Sequence, residues 1–247
     1  MDPVSALVAA REVAEKTALA VKETLRLAEL AKEGIKRLKI RELFKRKELS
    51  PNAKELAKEN YKHLYKEVSE AKENPELRAS LMNRLKSEPN LIGQMGEFHA
   101  DRYLRQFGNP ERQVIVQTER GQFRVDFVVH LKKDIPIKSF TIQDGILKSK
   151  SEVIRSGNKM GLEIKNGIKN GMYELRRNPA HIINQALAAK ELTGNGCIGI
   201  NQSMLETISK NPELYTDFFT EVEKHNLRVI VTQPTIGQQI ANVKRLF

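Results

Sequence analysis

Tryptophan is absent from the 247 residues, and cysteine occurs once, at Cys197. A lone cysteine excludes an intrachain disulfide, and its place in an apolar run makes it a small buried hydrophobe that fits a reducing cytoplasm. Core packing and any base stacking fall to nine Phe and five Tyr. No apolar run approaches the roughly 18 residues that span a bilayer, so no stable membrane insertion is expected. The opening Met1-Asp2-Pro3-Val4 leads into charged amphipathic sequence without an apolar h-region, so a classical signal peptide is not expected either. His63, His99, His130, His181 and His225 are scattered, with no His-x-x-x-His or Cys-x-x-Cys spacing for zinc. Gly194-Asn195-Gly196 lacks the lysine and following helix of a phosphate loop, and no Gly-x-Ser-x-Gly marks a serine hydrolase.

What is abundant is positive charge. Forty-two Lys and Arg against 31 Asp and Glu give +11, spread along the chain rather than gathered in one tail. Such a surface attracts polyanions, and nucleic acid is the partner it fits best. The length allows one large domain, or a compact domain with an appendage.

The first third reads as helical. Leu7, Ala14, Val21, Ala28 and Ile35 recur every seven residues, a seam interrupted at Arg11 and Lys32. This describes a long amphipathic helix, through which the chain could oligomerise, better than a sustained coiled coil. From Lys36 to Lys47 the helix turns basic, as a solvated face or an anion contact. Ser50-Pro51 and Asn74-Pro75 read as caps followed by proline in the first turn, starting a second helix to about Lys72 and a third marked by Leu77, Leu81 and Leu85. Pro89 suggests a boundary between a helical region, 1–88, and an α/β domain, 89–247. No chemical constellation is visible in the first of these; its expected role is delivery, oligomerisation or packing.

Beyond Asn90 the pattern alternates. A helix over Gly93–Leu104 precedes strands at Val114–Thr118 and Phe123–His130, joined by a turn at Gly121. Residues 131–159, rich in Lys and Arg, hold two short strands around Asp144-Gly145, expected as a protruding hairpin that either grips phosphates or is a solvated arm. A strand with Gly161-Leu162-Glu163-Ile164-Lys165 follows, then a helix over His181–Ala189, strands at Cys197–Asn201 and Leu227–Thr232, and a helix opened by Pro212. The tail from Pro234 is unassigned. Side chains alternate along a strand, so Glu163 and Lys165 share a face opposite Leu162 and Ile164. Asp126 should likewise oppose Phe123, Val125, Phe127 and Val129. If the two strands are neighbours, two carboxylates and an ammonium converge, with His130 a candidate for the surrounding shell.

Asp126, then Glu163-Ile164-Lys165, with Glu97 on the preceding helix and Gln185 on the following one, resembles the PD-(D/E)XK nuclease superfamily over about residues 90–232. Val125 stands where the name-giving proline is expected. The resemblance implies an α/β restriction-endonuclease-like core, a mixed central sheet flanked by helices, behind an α-helical N-terminal extension. It implies Mg²⁺ (or Mn²⁺) held by Asp126, Glu163, the Ile164 carbonyl and Glu97, with Lys165 orienting water and stabilising charge on phosphate and Gln185 positioning water or substrate. The expected activity is metal-dependent phosphodiester hydrolysis, with DNA favoured and RNA, including tRNA, as the rival. A basic domain behind a helical leader also resembles the toxin domains of bacterial competition systems. That likeness implies delivery into a target cell's cytoplasm and an acidic immunity protein. The alternatives are a non-catalytic nucleic-acid-binding protein with a degenerate nuclease fold, and a restriction or DNA-repair endonuclease acting in its own cell.

Overall fold

The computed structural model describes residues 59–72, 74–167 and 169–243. The heptad seam, the basic run Lys36–Lys47 and the Ser50-Pro51 helix start lie outside these. Within them the protein is α/β, a seven-stranded mixed sheet flanked by helices.

Three helices lead in: α1 (Lys62–Lys72), α2 (Pro75–Ser87) and α3 (Pro89–Leu104). Asn74 caps α2 as its sequence suggests, its side-chain oxygen accepting from the Glu76 and Leu77 amides at 2.9 and 3.1 Å. Leu81 and Leu85 turn inward, whereas Leu77 is exposed. The composition break near Pro89 is not a break in packing. Tyr61, Leu64 and Val68 share one apolar cluster with Leu81 and Leu85, with Leu91, Met95 and Phe98 of α3, and with Ile240 and Val243 near the C-terminus. Pro89 opens a helix rather than a linker, so the first two helices belong to the same core as the third.

The strands are β1 (Gly108–Thr118), β2 (Gly121–Leu131), β3 (Ile135–Gln143), β4 (Ile146–Ile154), β5 (Lys159–Lys165), β6 (Gly196–Asn201) and β7 (Arg228–Gln233). Their order across the sheet is β1-β2-β5-β6-β7-β3-β4. β1, β2 and β5 pair antiparallel; β5, β6 and β7 run parallel; β3 pairs antiparallel with both β7 and β4. Proline is tolerated at Pro110 because β1 is an edge strand.

The β3–β4 hairpin does not protrude. It crosses to the far side of the sheet and extends it, because Ile135, Ile137 and Ile154 are core residues. Its tip is the expected two-residue turn: Asp144 and Gly145 both have positive φ, 54° and 69°. The exposed lysines Lys148 and Lys150 lie on β4, where charge protects an open edge.

Between β5 and β6 lie α4 (Asn170–Arg177) and α5 (Pro179–Thr193). Between β6 and β7 lie α6 (Gln202–Lys210), a short 3₁₀ turn (Pro212–Tyr215) and α7 (Thr216–Lys224). Glycine lets α5 lie close on the sheet. A Cβ at Gly161 would fall 2.7 Å from the Ala189 side chain, and one at Gly196 would fall 2.6 Å from the Ala186 carbonyl. The unassigned tail forms α8 (Ile236–Val243). No helix among the described residues is long and apolar enough to cross a membrane.

Candidate active site

The site lies where β2 and β5 part. Their ladder runs from His130↔Lys159 to Phe127↔Leu162 and stops one residue short of Asp126 and Glu163. Beyond that point a side chain takes over from the backbone. Asp126 Oδ2 accepts from the Ile164 amide at 2.8 Å, in the place of a strand carbonyl. Because N–H and C=O of one extended residue lie on the same strand edge, the Ile164 carbonyl belongs to the same gap.

The expected alternation of β2 fails at this residue. Phe127 and Val129 pack in the cluster containing Ala100, Tyr103 and Leu104 of α3. Phe123 and Val125 instead pack with Val128 and with Ala188 and Ala189 of α5. The partner strand is irregular at the same point. Gln113, between the pairs Arg112↔Phe127 and Val114↔Val125, has φ of 53°, a left-handed conformation uncommon for a residue with a side chain. Its amide donates to Asp126 Oδ1 at 3.2 Å and to Glu97 Oε2 at 3.4 Å, bridging two carboxylates.

Glu97 is drawn over the site by α3, but its carboxylate is ion-paired to Arg112. Arg112 also donates to the Asn60 carbonyl at 2.9 Å and stacks over Tyr61, 4.2 Å from the ring centroid. Gly96 sets the height of α3: a Cβ there would fall 2.4 Å from Asn166, the residue after β5. Gly93, one turn earlier in the helix, has nothing within 4 Å of such a Cβ.

Glu163 is 2% exposed. One oxygen lies 3.4 Å from Lys165 Nζ, and the other, Oε2, has no partner. Lys165 also reaches Glu174 of α4 at 3.2 Å. Burial, and then the charge of Glu97, push Asp126 up to about 6; the Ile164 amide, Lys165 and Gln113 pull the other way. Burial, then Asp126, hold Glu163 well above the usual carboxylate range. For Lys165, burial opposes the charge, but Glu163, Glu174 and Asp126 outweigh it and raise the pKa. Lys165 is therefore an ammonium at neutral pH.

The structure brings Asp126, Glu163 and Lys165 together, with Glu97 tied in through Gln113. Gln185, on α5, donates its amide to the carbonyl of Arg124, two residues before Asp126 on β2, at 3.4 Å, and its Oε1 is buried without a partner. His130 lies at the other end of the ladder, on the surface beside Glu111. His99 is buried, 3.4 Å from the Gln239 carbonyl, and burial lowers its pKa to about 3. Arg112, Gln113 and Glu174 are the additions. A strand expected only from Val114 leaves the first two outside it, although a polar pair before an apolar run was the available signal.

Among the described residues no three Asp, Glu, His or Cys side chains are grouped to hold a metal unaided. The donors present are two carboxylates and a backbone carbonyl. That set suits Mg²⁺, which keeps several waters and takes one or two carboxylates from the protein. The unpartnered Glu163 oxygen and the raised carboxylate pKa values fit a cation here. Four carboxylates, Glu97, Asp126, Glu163 and Glu174, face two cations, Arg112 and Lys165, so two negative charges are uncompensated when all are ionised. No family model, curated protein or solved structure matches this chain.

Proposed function

We propose that the chain is a metal-dependent nuclease, hydrolysing phosphodiester bonds in nucleic acid, with DNA the favoured substrate. The observation that carries this reading is the parting of β2 and β5, where Asp126, Glu163 and Lys165 converge and a buried Glu163 oxygen has no partner. Asp126, Glu163 and the Ile164 carbonyl would hold Mg²⁺ or Mn²⁺, which supplies Lewis acidity and lowers the pKa of bound water. Lys165, kept charged by its acidic neighbours, donates to phosphate oxygens and stabilises the charge that builds there. A lysine with a raised pKa is not a general base at neutral pH. Glu174 holds its ammonium on the α4 side, and Gln113 fixes Asp126 relative to Glu97. Glu97, committed to Arg112, reaches the centre through Gln113 or water rather than as a direct ligand. Gln185 keeps α5 on β2 and has no assigned part in the chemistry.

The test is cleavage of plasmid DNA and of transfer RNA with Mg²⁺, with Mn²⁺ and in EDTA. Cutting should require the cation, and Asp126→Ala, Glu163→Ala and Lys165→Ala should each reduce it at least about a hundredfold. The three losses should not add, since the residues act as a unit. Undiminished cutting in chelator, or by the Lys165 variant, would overturn the proposal.

A further inference from the structure

Helix α4 follows β5 at once and is tethered to the site by Glu174, 3.2 Å from Lys165. Its inner face is Gly171, Met172 and Leu175, all buried. Its outer face, with the capping residue Lys169 before it, is a single stripe: Lys169, Tyr173, Arg176 and Arg177 stand at i, i+4, i+7 and i+8, the spacing that lines one side of a helix. All four are exposed, and Tyr173 is 60% exposed, among the most exposed large apolar side chains described. Lys169, Arg176 and Arg177 form no salt bridge with any described carboxylate, although acids are plentiful elsewhere on the surface. A large aromatic ring left in water among unneutralised cations is unexplained by the packing of α4.

We infer that this stripe is a docking surface for single-stranded nucleic acid, with Tyr173 as a stacking platform for an unpaired base and the three cations on the flanking phosphates. Charge complementarity selects a polyanion, and the chain as a whole carries +11. The exposed ring narrows the choice. Duplex DNA hides the faces of its bases and offers only backbone and groove edges, so it uses the cations and leaves the ring idle. An unpaired strand uses both. Tyr173 precedes Glu174, the residue that touches Lys165, so the platform lies on the helix that is tethered to the candidate catalytic lysine. The inference rests on the nuclease reading for the fate of the bound strand, not for the binding itself.

Binding is therefore measured on the full chain in EDTA, where metal-dependent cutting is suppressed. Fluorescence anisotropy is read for labelled oligo-dT and oligo-rU of about 15 nucleotides and for a duplex of the same length. Wild type should bind the single strands more tightly than the duplex. Tyr173→Ala should weaken single-strand binding about tenfold and leave the duplex unchanged, while Tyr173→Phe keeps the wild-type affinity. Arg176→Ala with Arg177→Ala should lower the slope of log K against log salt by about 1.4, at about 0.7 for each phosphate no longer neutralised. Since the chain has no Trp, tyrosine emission is directly observable, and its quenching by oligo-dT should shrink in Tyr173→Phe although the strand still binds. Equal affinity of Tyr173→Ala and wild type, tighter binding of the duplex, or no binding of either would overturn the inference. A chain that grips the strand through Tyr173 but cuts nothing with Mg²⁺ sinks the nuclease proposal and leaves this one standing. A chain that cuts while Tyr173→Ala binds normally does the reverse.

Discussion

Two buried carboxylates that repel one another are a cost to the fold, and that separates a functional acid pair from a structural one. Asp126 titrates near 6 in the folded chain, above the ordinary carboxylate value, and Glu163 is shifted the same way. Between the unfolded and folded values the native state binds more protons than the unfolded one. Stability from these groups is thus full in acid, below the unfolded pKa, and is lost as pH rises through the folded pKa. Glu163→Gln removes the repulsion while Lys165 keeps Glu174 as partner. In EDTA the variant should melt above wild type by roughly 2–4 °C at pH 7, about 1 kcal/mol for a chain of this size, and the gap should close as pH falls towards 4. A lower melting temperature at pH 7 would mark Glu163 as a structural ion-pair partner. On the proposed reading Mg²⁺ would bind only the folded site, so it should raise the wild-type melting temperature with concentration and leave Glu163→Gln unmoved.

Elements with a strong local signal were legible in the sequence, and those fixed by distant contacts were not. The Asn74-Pro75 start of α2, the Asp144-Gly145 turn and the run of strand, helix and strand after β5 follow from cap, turn and alternation rules acting within a few residues. The Glu163–Lys165 pair was legible too, since the two lie two apart on one strand. The place of the β3–β4 hairpin was not, because its contact with β7 joins Ser139 to Ile230, a pairing no local pattern encodes. Nor was α8, whose role depends on a buried polar network. Gln239 donates to Asn166 Oδ1 at 2.8 Å and to the Pro234 carbonyl at 2.9 Å, while Asn166 donates to the Ile92 carbonyl at 2.7 Å. That network pins the residue after Lys165 to α3 and α8 at once. Asn166, held on both sides, cannot move aside for a methyl group at Gly96. Gly96→Ala should therefore cost several degrees of melting temperature, with loss of cleavage as Lys165 shifts. Gly93→Ala, a few residues earlier in the same helix and with open space around it, should instead stabilise by up to about 1 kcal/mol through helix propensity. Equal effects at the two glycines in urea unfolding would mean that α3 is not held at the height described.

Composition divides the whole molecule at residue 88, but packing divides it earlier. Tyr61 donates to the Glu97 carbonyl at 3.2 Å, and Arg112, the partner of Glu97, is held by the Asn60 carbonyl and the Tyr61 ring. The start of the described chain thus supports the candidate site directly, and Leu64 and Val68 cover Leu91, Met95 and Phe98. The unit that contains the site begins at Ile40, after a division at Lys39. A fragment of residues 40–247 should fold with the melting temperature of the full chain and cut as fast with Mg²⁺. A fragment of 89–247 should be insoluble or molten, because it bares the apolar face of α3 and deprives Arg112 of Asn60 and Tyr61. The shorter truncation also reads the basic run from Lys36. The 40–247 fragment lacks Lys36, Arg37 and Lys39, and if these touch phosphates its salt dependence should be shallower by about 0.7–0.9 for each phosphate no longer neutralised, depending on strand type. Unchanged salt dependence would make that run a solvated face. A soluble, active 89–247 fragment would show that α1 and α2 are a removable cover, with Glu97 held by α3 alone.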